Sequence, residues 1–131
     1  MPSPPYRTVL ADDNATTRRF MKALVERHQC TVVAEATNGE EAVTATRMTK
    51  PDLVLLDVNM PLMTGSEALP AILAARPGVA VVMLTSVSDA ETVQDCLAKG
   101  AINFIRKDAG TAELGSLITQ TLAMAFGTGA P

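Results

Sequence analysis

Cysteine and histidine are nearly missing from this 131-residue chain, which narrows its chemistry before any motif is considered. The two cysteines, Cys30 and Cys96, stand alone in apolar segments and read as reduced core thiols, not as a disulfide or a metal pair. The single histidine, His28, has no cysteine or second histidine beside it and reads as a helix-end marker, not a ligand. Basic residues are in no excess. Eleven Lys and Arg against 14 Asp and Glu leave a net charge of −3, which argues against direct nucleic-acid binding. No run approaches the roughly 20 apolar residues of a membrane span, and the amino terminus lacks a signal-peptide layout. No membrane insertion and a cytoplasmic location are therefore expected. Repeats and low-complexity stretches are also lacking. One domain over residues 1–131 is expected, with an ordered core over about 6–126.

What the chain does have is a series of short apolar runs, each followed by an amphipathic stretch. The runs are Tyr6 to Ala11, Thr31 to Ala36, Leu53 to Leu56, Val79 to Leu84 and Ile102 to Arg106. Leu53 to Leu56 is continuously apolar, the pattern of a strand covered on both faces. The first helix opens at Asn14 or Asp13 and buries Met21, Leu24, Val25 and His28, leaving Arg18, Arg19, Lys22 and Arg27 on a solvated face. The second is capped by Asn38, with Glu41 reaching back, and runs to about Met48. A third follows the Met63-Thr64-Gly65-Ser66 turn; with Ser66 as its cap, Pro70 falls near the fourth helical position. Ser88-Asp89-Ala90-Glu91 reads as a capping box for the fourth, closed by Gly100. The last carries a stripe of Leu114, Leu117, Ile118, Thr121, Leu122, Ala125 and Phe126. Five strand-then-helix units predict an α/β fold, a parallel sheet with helices on both faces.

The strand ends carry the chemistry. Asp12 and Asp13 follow the first run, Asp57 ends the third, Thr85 and Ser86 follow the fourth, and Lys107 follows the fifth. Open parallel sheets place their sites at the carboxyl ends of the strands. Carboxylates about 4–5 Å apart repel by roughly 4 kcal/mol per pair at an effective dielectric near 20. Three carboxylates, hydroxyls and one ammonium on one rim make a divalent-metal and phosphate site.

In order and spacing, Asp12-Asp13, Asp57 with Asn59-Met60-Pro61 and Gly65, then Thr85, Phe104 and Lys107 resemble the receiver domain of bacterial response regulators. The resemblance covers residues 6 to about 126. It implies a doubly wound, flavodoxin-like sheet of five strands in the order 2-1-3-4-5 with five helices. It makes Asp57 the phospho-acceptor, with Lys107 and Thr85 on the phosphoryl oxygens. Mg²⁺ (or Mn²⁺) is implied as cofactor, held by Asp13, Asp57 and the backbone carbonyl of Asn59, with Asp12 acting through water. Phe104 takes the aromatic switch position, turning into space that Thr85 vacates and so altering the surface of residues 89–126. The implied partners are a sensor histidine kinase or histidine phosphotransfer protein and a downstream protein on that surface. The implied assembly is a monomer or a phosphorylation-dependent dimer. Such a protein is not a conventional enzyme, but it catalyses its own phosphoryl transfer and autodephosphorylation.

A stand-alone regulator of the chemotaxis type is expected, the alternatives being the receiver of a longer regulator or a degenerate, binding-only receiver. A haloacid-dehalogenase-type phosphatase is disfavoured because Asn59 stands where its general acid would be. Asp108 departs from the family pattern, which has proline there; it predicts a trans bond or a strained loop, and a competitor for Lys107. Ser86 and Thr64 depart at less critical places. Asn59 and Val87 lie where the family tunes autodephosphorylation.

Overall fold

The computed structural model describes residues 2–86 and 89–127. The strands are β1 (Tyr6–Ala11), β2 (Cys30–Ala36), β3 (Leu53–Asp57), β4 (Ala80–Thr85) and β5 (Asn103–Arg106). They alternate with α1 (Ala15–Glu26), α2 (Gly39–Thr49), α3 (Gly65–Ala75), α4 (Ala90–Ala98) and α5 (Thr111–Phe126). All four strand pairings are parallel and the order is β2-β1-β3-β4-β5, as the resemblance implies.

The apolar runs are explained by two cores, one on each sheet face. Leu10, Leu53, Leu55 and Val82 pack with Met21, Leu24 and Val25 of α1 and Leu114, Ile118 and Leu122 of α5. The alternate residues Val9, Val54, Leu56 and Met83 pack with Ala42 and Val43 of α2, Leu69 and Ile72 of α3, and Val93 and Cys96 of α4. Both cysteines are therefore buried free thiols, as expected. From β1 the chain leaves for β2 on one side and returns to β3 on the other. Between the ends of β1 and β3 the order reverses, which opens a crevice at that rim.

Several local expectations are corrected. Strand β2 starts one residue early at Cys30, whereas β4 and β5 start one residue late at Ala80 and Asn103. Helix α3 is capped by Thr64, not Ser66: the Thr64 hydroxyl accepts from the Glu67 amide while the Glu67 carboxylate accepts from the Thr64 amide. The reciprocal box wins because Gly65 already anchors the turn, donating its amide to the Val58 carbonyl at 3.0 Å. Pro70 consequently lies within the helix, at its sixth residue. In α2 Asn38 caps as expected, but Glu41 reaches past it to the amide and hydroxyl of Thr37, both 2.7 Å away. His28 lies beyond α1, and Arg18 leaves the solvated face to bond the Asp12 carbonyl and Glu35. Ser88 and Val87 lie outside the described residues.

Candidate phosphoryl and metal site

Strand ends build the site. Asp57 is the last residue of β3 and is only 3% exposed, so its carboxylate enters the crevice from a rigid element. Its Oδ1 accepts from the Asn59 amide at 3.1 Å and its Oδ2 from the Lys107 ammonium at 2.7 Å. Asp12, just beyond β1, is completely buried; one oxygen accepts from the Asn14 amide, and the other lies 3.6 Å from Lys107. Asp13 is exposed, yet it offers an oxygen to the same cluster: ligand atoms of Asp12, Asp13 and Asp57 all lie within 4.8 Å of one another. Residues up to 95 positions apart thus meet at one rim. The backbone fixes Lys107 there, its amide donating to the Thr85 carbonyl at 2.9 Å.

Electrostatics make this cluster incomplete on its own. Burial, with the Asp12 charge adding to it, lifts the Asp57 carboxyl to about 6 despite the Lys107 and Asn59 bonds that pull it down. Burial opposes the Lys107 charge, but its bond to Asp57 and the negative charges of Asp57 and Asp12 outweigh that and hold the ammonium above its ordinary range. Oδ2 of Asp12 is the one buried side-chain oxygen or nitrogen among the described residues without a hydrogen-bond partner. A buried carboxylate oxygen aimed into a cluster of three acids fits a hard cation that takes oxygen ligands.

Thr85 ends β4, 2% exposed and beside the β3 end, since Asp57 pairs with Leu84. Its hydroxyl does not face an open site: it lies 3.0 Å from the Ser86 carbonyl and 3.3 Å from Asp89 Oδ2. The sequence places Asp89 only in a capping box, but no bond joins its side chain to the α4 amides. Instead its carboxylate collects the amide and hydroxyl of Ser86, the hydroxyl of Thr85 and the side-chain amide of Asn59. Burial acts against the Asp89 charge, but those bonds hold its carboxyl below the usual range. The signal available in sequence was an acid four residues beyond Thr85.

Phe104 is 38% exposed and so lies outside the core; with Thr85, Ala90 and Val93 it lines a cavity of about 170 Å³. Asp108 does not compete for Lys107. It forms a two-point pair with Arg106 at 3.0 and 2.6 Å, and the Lys107–Asp108 peptide is trans. Arginine one position earlier offers a planar fork that matches a carboxylate better than an ammonium committed elsewhere.

Residues 8–119 match the family model described as the response regulator receiver domain. The chain is 41% identical over 101 residues to the chemotaxis protein CheY of Listeria monocytogenes, covering 77% of this chain and 85% of that one. It is 38% identical over 108 residues to a protein-glutamate methylesterase/protein-glutamine glutaminase of Bacillus licheniformis, covering 80% of this chain; there it spans only 30% of the relative's length. Among solved structures, the response regulator domain of Thermotoga maritima CheB superposes with a TM-score of 0.77 at 31% identity, covering 89% of this chain and 96% of that one. No helix among the described residues is long and apolar enough to cross a membrane.

Proposed function

Since this chain belongs to the response regulator receiver domain family, the phospho-accepting module of two-component signalling, we propose that it takes a phosphoryl group onto Asp57 and signals by the change that follows. The carrying observation is the buried Asp57 carboxylate with Lys107 at 2.7 Å beside two further acids. A carboxylate oxygen of Asp57 forms the new bond to phosphorus, while the donor's bond to phosphorus breaks and its electron pair leaves with the donor. The donor class is a phosphohistidine on a sensor kinase or phosphotransfer protein. Lys107 places its ammonium where the phosphoryl oxygens arrive, and Asn59 holds the second Asp57 oxygen in orientation. Asp13, Asp57 and the Asn59 carbonyl would hold Mg²⁺ or Mn²⁺, with Asp12 behind them through water. Bound there, the ion supplies positive charge to carboxylate and phosphoryl oxygens together.

Phosphorylation adds negative charge and strong acceptors at the β3 end. Thr85 is the nearest hydroxyl-bearing strand end, and the cavity beside it gives the Phe104 ring room to turn inward. The output surface is then residues 89–126, where a downstream protein docks. Incubation with a labelled small phosphodonor and Mg²⁺ tests this reading. The wild type takes up one phosphoryl group; Asp57→Asn takes up none, and chelation of the metal suppresses uptake. A wild type that stays unlabelled marks a binding-only receiver.

A further inference from the structure

We propose that Asp89 is the catch of the resting state: its carboxylate holds the Thr85 hydroxyl and the Asn59 side-chain amide away from the phosphorylation site until a phosphoryl group on Asp57 outbids it. The inference rests on the phosphorylation reading above and names what that event must undo. Aspartate at the residue before a helix ordinarily turns its carboxylate onto the first free amides. Asp89 precedes α4 with φ −101° and ψ 17°, not the extended backbone of a capping residue, and its carboxylate turns away from those amides. Its Oδ1 accepts from Asn59 Nδ2 at 2.9 Å. Its Oδ2 gathers the Ser86 amide at 2.9 Å, the Ser86 hydroxyl at 2.8 Å and the Thr85 hydroxyl at 3.3 Å. One side chain therefore ties the loop after β3 and the end of β4 to the start of α4.

Two consequences make this a switch and not mere glue. Thr85 has a single hydroxyl proton, so donating it to a phosphoryl oxygen and donating it to Asp89 or the Ser86 carbonyl are mutually exclusive. Meanwhile α4 is a nine-residue helix that buries only Val93 and Cys96 and, among the described residues, has no side-chain cap, which suits an element that repositions. When Thr85 leaves, Asp89 loses one of the anchors that hold the start of α4 against the end of β4. The site at Asp57 is thereby linked to the surface that begins at residue 89.

The test follows amide and methyl resonances of Asp89→Ala and of the wild type, each with and without Mg²⁺ and beryllofluoride, a mimic of the phosphoryl group. Without beryllofluoride, the Thr85 methyl and Phe104 amide of Asp89→Ala should already lie part of the way toward the positions that the bound wild type adopts. Its beryllofluoride affinity should be about tenfold tighter, as expected when charged hydrogen bonds that favour the unbound state are removed. Asp89→Asn keeps the shape but turns an acceptor into a donor facing donors, so it should move the same way and serves if the alanine variant does not fold. Resonances that stay at the free wild-type positions, with unchanged or weaker affinity, overturn the catch while a responding wild type upholds the phosphorylation reading. A loss of melting temperature without that directed shift would make Asp89 merely structural and also overturn it. A wild type that ignores beryllofluoride overturns both.

Discussion

Replacing Lys107 by alanine is expected to slow phosphorylation of Asp57 by about 100- to 1000-fold, the usual cost of losing one preorganised charge at a transferring group. The ammonium lies 2.7 Å from Asp57 and 3.6 Å from Asp12, in a crevice where its side chain is mostly covered, so water replaces it poorly. Its loss also leaves Asp57 facing Asp12 without compensation, and the Asp57 carboxyl should climb further above its ordinary range. A protonated carboxyl is a poor nucleophile, so both effects slow the same step. Arginine is not expected to restore the rate, because a planar guanidinium is larger and spreads its charge where a compact ammonium is fitted. Rates read by intact mass with a small phosphodonor decide it. Labelling of Lys107→Ala within about threefold of wild type would contradict the role given to this residue.

The second large effect concerns stability. Gly65 is the first residue of α3, and a Cβ built there would lie 2.0 Å from the carbonyl oxygen of Asp57 and 2.9 Å from its carbonyl carbon. Both are backbone atoms of the central strand, so no side chain can rotate away to relieve the overlap. Either the amino-terminal turn of α3 retreats, breaking the Gly65 amide bond to Val58, or the end of β3 shifts and takes the phospho-acceptor with it. Gly65→Ala should cost at least about 3 kcal/mol, at the upper end for overpacking. That corresponds to a fall of about 10 °C or more in melting temperature for a domain of this size. Gly110→Ala is the matched control: nothing lies within 4 Å of its Cβ position, and its melting temperature should barely move. Equal melting of the two variants would show that the close approach does not constrain the fold.

The parts that were legible in sequence are those for which one interaction dominates. Leu53 to Leu56 reads as a doubly covered strand, because four consecutive apolar side chains leave no polar face to turn to water, and both cores bear this out. The acids and Lys107 were legible because they follow such runs, and parallel pairing then brings the run ends to one rim. Where two polar contacts of similar strength compete, sequence was a poor guide. Ser66 and Thr64 are both competent caps, and the choice fell to Thr64 because Gly65 docks on β3. Asp89 could cap α4 or bond Thr85, and the Ser86 amide together with Asn59, 30 residues away in sequence, adds to the second arrangement. Asp108 likewise had Lys107 and Arg106 within reach, and Lys107 was already held by Asp57 and Asp12.

That acids distant in sequence are brought together and tolerate one another best around a divalent ion is tested most directly by melting the protein with and without millimolar Mg²⁺ at two pH values. Burial raises the folded Asp57 carboxyl to about 6 from its ordinary value, so the folded state keeps that proton longer than the unfolded chain does. The fold therefore loses stability as pH rises between about 4 and 6, by up to roughly 3 kcal/mol, and stays at that lower level above it. An ion that binds the ionised carboxylates of the folded state restores what was lost. At about pH 7.5, Mg²⁺ should raise the melting temperature by about 3 °C or more, and near pH 4, with Asp57 protonated, by almost nothing. No rise at neutral pH, or an equal rise at both, would contradict the account.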